Sequence, residues 1–237
     1  MDIPTCLFRN SGVLTKSHFH YILLIKHMNF LFCSKLSKKN DQLFLDLLKK
    51  NKKLKIGYIP SATSINNKYF IQTKNYYKKN YKLNDIICLD IDKKYDKQYF
   101  YNNLKKCDIL ILSGGNTQYF LNNIKKRKIS KIIKNFAQTY NKFIIGISAG
   151  GVIMTPKINI AEILDKKEYN NKNIKGLNLV DFYFFPHFNN SYDGLIKKYS
   201  LKNKKRIIVC SDVLIINNTI KNKYNYYLNG KYYRSTK

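Results

Sequence analysis

The chain has 237 residues, 44% of them hydrophobic, enough apolar material for one sizeable α/β domain. Its formal charge of +30 comes from 44 Lys and Arg against 14 Asp and Glu. The basic residues are nearly all Lys, scattered among Asn, Ile and Tyr rather than gathered in an arm or stripe, so specific nucleic-acid recognition is not expected and salt-sensitive attraction to polyanions is.

Cys6, Cys33, Cys88, Cys107 and Cys210 are odd in number and never spaced as Cys-x-x-Cys. A disulfide framework or a zinc site is therefore not expected, and a reducing, cytoplasmic compartment is. No run approaches the roughly 18 apolar residues of a membrane span. Residues 1–27 hold three of the four histidines without clear periodicity and read as an extension, with Met28 opening a single domain over 28–237.

From Met28 strand-like and helix-like segments alternate. Phe30–Cys33 is a short apolar strand, and Lys39–Asn51 places Leu43, Phe44, Leu47 and Leu48 at helical spacing. Leu54–Ile59 is a strand closed by Pro60, Tyr69–Asn80 an exposed helix, Ile86–Leu89 a strand and Lys97–Lys106 a helix. Asp108–Leu112 is a continuous Ile/Leu run of the kind buried on both faces of a sheet. Ser113-Gly114-Gly115-Asn116 turns into a helix to about Lys126, and Ser130–Tyr140 is a further helix before the strand at Phe143. This rhythm predicts a doubly wound, mostly parallel sheet flanked by helices. Beyond it, Asp165–Lys175 is a polar loop, Leu177–Phe185 an aromatic run and Tyr192–Leu201 a helix. Arg206–Cys210, Val213–Asn217 and Tyr224–Leu228 read as strands, and Asn229-Gly230 turns the last of these into Lys231–Tyr233, so an antiparallel C-terminal meander is expected at one edge.

The chemistry-bearing stretch is Phe143–Met154. A strand runs into Gly146-Ile147-Ser148-Ala149-Gly150, the Gly-x-Ser-x-Gly pattern of a sharp strand-to-helix turn that exposes a serine hydroxyl at the carboxyl end of a sheet. A serine nucleophile needs a base, and from Met28 onward His187 is the sole histidine. It follows an aromatic strand and Pro186, where strand ends of an open α/β sheet form a ligand crevice. The acid that would orient it comes from Glu162, Asp165, Glu168, Asp181, Asp193 and Asp212. Asp212 ranks first, because it too ends a buried-looking strand; Glu162, on the segment leaving the serine helix, ranks second. Gly114 and Gly115 end another buried strand at a helix N-terminus, so their N–H groups, with that of Ala149, are candidate oxyanion donors. Asn116 is suited to cap the helix.

These residues resemble the peptidase E family, aspartyl dipeptidase-like serine hydrolases on a class I glutamine-amidotransferase-like α/β fold. The likeness rests on Gly114-Gly115-Asn116-Thr117, Gly146-Ile147-Ser148-Ala149-Gly150, Thr155-Pro156-Lys157-Ile158 and Pro186-His187-Phe188, in that order. It implies Ser148 as nucleophile, His187 as base and an acid in the segment Val209-Cys210-Ser211-Asp212, where Asp212 stands for the family's usual Glu. Another acid position in that family falls here on Ile163, with Glu162 beside it. An arginine after the family's Pro-x-Ile is the natural partner of an aspartyl substrate. Here Asn159 occupies that place and Lys157 is the nearest cation. The resemblance implies hydrolysis of small peptides with no metal or organic cofactor; no membrane partner is expected from the apolar runs, and monomer and homodimer both stay open. The contrasting expectation is a non-catalytic member of the same fold that binds a ligand or partner in the crevice.

Overall fold

A computed structural model of the chain describes residues 29–35, 54–62, 67–139, 141–165, 174–211, 213–217, 225–228 and 230–234. The expected extension over 1–27, the helix Lys39–Asn51, most of the polar loop after Asp165, and Asp212 lie outside the described residues.

Alternation along the strands decides the layout. In β1 (Asn29–Cys33), Phe30 and Phe32 enter one apolar cluster, while Leu31 and Cys33 pack into another. β4 (Ile109–Leu112) sends Leu110 and Leu112 to the first cluster and Ile109 and Ile111 to the second. Two buried sets at period two mean a sheet covered on both faces. Its strand order is β3-β2-β4-β5-β1-β8, with β2 at Ile56–Ile59, β3 at Ile86–Cys88, β5 at Phe143–Ile147 and β8 at Val213–Asn217. Every pairing in it is parallel except β8 on β1.

Helix α1 (Lys68–Tyr81) covers one face through Phe70, Tyr76, Tyr77 and Tyr81. Helices α2 (Lys97–Leu104), α3 (Thr117–Lys126), α4 (Ser130–Gln138), α5 (Ala149–Ile153) and α6 (Asp193–Asn203) contribute to the cluster on the other. The mostly parallel sheet flanked by helices is thus the architecture that the alternation predicts.

The C-terminal strands divide where a single meander was expected. Only β8 joins the edge of the main sheet. The others form a separate sheet, β10-β9-β7-β6, with β6 at Tyr183–Phe185, β7 at Ile207–Val209, β9 at Asn225–Leu228 and β10 at Lys231–Arg234. In it β6 and β7 run parallel, and the β9–β10 hairpin is antiparallel. Aromatic packing accounts for this second sheet: the Phe32 ring lies 5.1 Å from that of Phe184 and 5.4 Å from that of Phe182. Gly151 makes room, since a Cβ there would sit 2.7 Å from Phe184 Cε1. The second sheet therefore packs on Phe32 of β1 and Gly151 of α5, and the end of β6 lies near the carboxyl edge of the main sheet.

β2 leads outward to β3, while its neighbour β4 leads inward to β5. The crevice at their carboxyl ends is the point where an open α/β sheet opens a ligand site.

Candidate active site

β5 delivers Ser148 and α5 begins at the next residue. Ser148 is left at φ 49°, ψ −112°, a region that L-residues avoid. Its surroundings hold it there. The Ser148 N–H donates to the Cys33 carbonyl at 2.7 Å, and its own carbonyl accepts from Gly151 and Val152. The turn needs glycine on both sides for close approach: a Cβ on Gly146 would lie 2.6 Å from Gly151 Cα, and one on Gly150 2.1 Å from the Leu112 carbonyl oxygen. Backbone strain fixed by its neighbours is characteristic of functional sites.

His187 follows β6 and Pro186, also at positive φ (55°). Its Nε2 lies 2.8 Å from Ser148 Oγ. With the hydroxyl as donor, Nε2 is the bare nitrogen and the ring proton sits on Nδ1. Burial lowers the His187 pKa first, the Lys35 charge lowers it further, and Asp165 opposes both. The ring is therefore neutral and able to accept a proton at neutral pH.

Among the described residues, Lys35 and Asp165 are the charged groups acting on His187. Asp165 accepts a bond from Thr117 Oγ1 at 3.3 Å. Glu162, a candidate acid, instead accepts from Asn159 Nδ2 at 2.9 Å, in an exposed pair. Asp212 lies outside the described residues, but the chain leading to it abuts the histidine: the Cys210 carbonyl accepts the Phe188 N–H at 3.0 Å.

The glycine turn after β4 lies beside the serine, with a Cβ on Gly114 falling 3.5 Å from Ser148 Cβ. Gly115 has φ 137°, open only to glycine, and a Cβ there would collide with Ser61 Oγ at 2.1 Å. A serine pair fixes the turn: Ser61 N–H donates to Ser113 Oγ at 2.6 Å, and Ser61 Oγ donates to the Gly114 carbonyl at 2.8 Å. Ala149 is the first residue of α5, so its N–H has no carbonyl partner within the helix. Asn116 caps α3 as expected, its side chain accepting the Tyr119 N–H at 2.8 Å.

Ser148 and His187 open into a pocket of about 710 Å³, walled by Tyr58, Ser61 and the α1 residues Tyr69, Gln72, Thr73 and Tyr76. Among the described residues the cation in its lining is Lys35, not Lys157, which forms a β-bridge with Lys175 in another part of the chain. Lys35 and Ser34 carry no motif, yet strand ends on the same sheet edge as the serine are the signal that marks them.

Burial raises the thiols of Cys33, Cys88 and Cys107, so none of these three is poised as a nucleophile. No group of His, Cys, Asp and Glu among the described residues is arranged to hold a metal. No helix among them is long and apolar enough to cross a membrane.

Against this geometry stand the comparisons with known proteins. The profile of peptidase family S51 matches residues 32–220. The chain belongs to peptidase family S51. An uncharacterized peptidase of Listeria monocytogenes is 32% identical over 120 residues, 45% of this chain and 58% of the relative. One of Pasteurella multocida is 28% identical over 127 residues, 51% of this chain and 61% of the relative. The chain thus spans about three-fifths of the curated relatives it matches. Two crystal structures share the S51 chain's fold. A putative peptidase E of Listeria monocytogenes superposes with TM-score 0.61 at 24% identity, covering 88% of this chain and 98% of that one. A peptidase from an acI-B1 Actinobacterium gives 0.64 at 16% identity, covering 90% and 97%.

Proposed function

We propose that this S51 family member is a cytoplasmic serine peptidase that hydrolyses an amide bond in small peptides. The observation that carries the reading is the 2.8 Å approach of His187 Nε2 to Ser148 Oγ, with the serine on a strained strand-to-helix turn. Ser148 Oγ attacks the substrate carbonyl carbon as His187 Nε2 takes the hydroxyl proton. The oxyanion settles against the N–H groups of Gly114 or Gly115 and of Ala149, each such donor contributing about 3 kcal/mol. Protonated His187 then gives its proton to the leaving amine, and the C–N bond breaks. Water, deprotonated by the same imidazole, opens the acyl-serine and releases the acid.

Asp212 is the proposed orienting acid, on the strength of the bond between Phe188 and the Cys210 carbonyl two residues before it. Asp165 offers a second source of negative charge toward the ring. A carboxylate-bearing peptide, aspartyl first residues included, suits the pocket through Lys35, a less directional partner than an arginine. Ser148→Ala is expected to abolish both peptide turnover and labelling by an alkyl fluorophosphonate while leaving the melting temperature unchanged. An alanine variant with wild-type turnover refutes the assignment. A wild type that resists the fluorophosphonate marks the pocket as a binding site only.

A further inference from the structure

Three consecutive residues at the end of β1 hold the backbone of both reacting residues or line the pocket between them. The Cys33 carbonyl receives the Ser148 N–H, and Lys35 lines the pocket. Ser34 lies between them, only 2% exposed. Its hydroxyl donates to the Cys210 carbonyl at 2.8 Å and accepts the backbone N–H of His187 at 2.9 Å. The geometry points to Ser34 as the positioning residue for His187, a buried hydroxyl that clamps the backbone of the general base to the end of β1. This rests on the serine-peptidase reading above.

The clamp is needed because the two halves of the site come from different sheets. Ser148 stands on β5, which pairs directly with β1, Cys33 opposite Ile147. His187 stands beyond β6, in the second sheet. Within that sheet the strand ends are already tied to each other. Cys210 N–H donates to the Phe185 carbonyl at 3.0 Å, and Phe188 N–H donates to the Cys210 carbonyl at the same distance. Ser34 Oγ takes hold of this knot from the main sheet, contacting Cys210 and, between Phe185 and Phe188, the backbone of His187. It also fixes His187 at φ 55°, a conformation that persists only where the surroundings over-determine it.

Without the hydroxyl, the Cys210 carbonyl keeps Phe188, but the His187 N–H loses its acceptor. The histidine backbone is then free to relax toward negative φ, carrying Nε2 away from Ser148 Oγ. Ser148 keeps its own bond to the Cys33 carbonyl, so the nucleophile and the pocket stay in place. The loss therefore falls on proton transfer and not on binding.

An alkyl fluorophosphonate tests this without knowledge of the peptide, because its saturable reaction separates the acylation rate constant from the binding constant. Ser34→Ala is expected to lower the acylation rate constant roughly 10- to 100-fold, the scale of a 1 Å misplacement, with the binding constant within about threefold of wild type. Ser34→Thr, which keeps the hydroxyl, restores most of the rate. Folded protein is verified by melting. If the alanine variant does not fold, Ser34→Cys, similar in volume but a poor acceptor, is held to the same expectation. A folded Ala or Cys variant that acylates at the wild-type rate overturns the proposal, as does a loss confined to the binding constant or a folded Thr variant as slow as alanine. A wild type that is not labelled, or a Ser148→Ala protein labelled equally, is a different result: there the serine-peptidase reading fails and the role of Ser34 falls with it.

Discussion

The two sides of the proposed reacting pair are built on different principles. The serine side is rigid by exclusion: Gly146, Gly150 and Gly151 stand where any Cβ would strike backbone, Met154 or the Phe184 ring, and β5 is flanked by parallel strands on both sides. The histidine side is held by attachment. His187 is exposed, its strand is three residues long, and its position depends on aromatic packing beneath and on Ser34 beside it. In the proposed roles, a nucleophile at a forbidden φ needs a frame that does not yield, whereas a base that takes up and returns protons needs solvent access and a tunable charge environment.

The largest effect is expected where the histidine side is attached. Phe184 is fully buried, and its ring meets Phe32 across the two sheets. Phe184→Ala should cost about 3–5 kcal/mol of stability, read as a melting temperature lowered by about 6–20 °C. If attachment is what matters, activity measured well below the melting temperature also falls, because β6 loses its footing. Loss of stability with full activity in the remaining folded protein would show that the second sheet does not position His187.

Gly150→Ala attacks the other side. The added methyl would meet the Leu112 carbonyl oxygen at 2.1 Å and must push α5 outward. Overpacking of this kind costs about 1–3 kcal/mol. The displaced helix carries the Ala149 N–H with it, so the expected signature is an activity loss out of proportion to the modest drop in melting temperature. A variant that loses stability and keeps its acylation rate would mean that the oxyanion is not received at the start of α5.

The same contrast explains what could be read from the sequence. Ser148 is legible because the turn that exposes it is local, a strand, two glycines and a helix within a dozen residues, although the Cys33 carbonyl that receives its N–H is not. His187 stands out by scarcity, the one histidine from Met28 onward and at a strand end, and Asn116 by its capping position. The separate sheet was not legible, since Arg206–Cys210 and Leu177–Phe185 have the composition of strands in any sheet. Their pairing partners are set by aromatic contacts distant in the chain, such as Phe32 with Phe182 and Phe184. Ser34 and Lys35 escaped for a related reason. In a lysine-rich chain neither residue type carries a signal, and their place in the site follows from β1 lying beside β5, a pairing of residues more than a hundred positions apart. Lys157 is the cation nearest a motif in the sequence, yet it lies outside the pocket lining.

The smallest effect, and the one that isolates the histidine side, concerns charge. Lys35 lowers the His187 pKa, after burial, and Asp165 raises it. The base works only when neutral, so rate against pH falls on the acid side as the ring is protonated. Replacing Lys35 by Met removes a charge that disfavours imidazolium, hence the His187 pKa rises and the acid limb of the acylation rate moves to higher pH. Asp165→Asn removes a charge that favours imidazolium and moves the same limb to lower pH. Lys35 is exposed, so added salt screens it and carries the wild-type limb part of the way toward that of the Met variant. Neither substitution touches the frame around Ser148, so the plateau rate with the fluorophosphonate should hold. An acid limb unmoved by either change would place the titrating group elsewhere and remove His187 from the reaction.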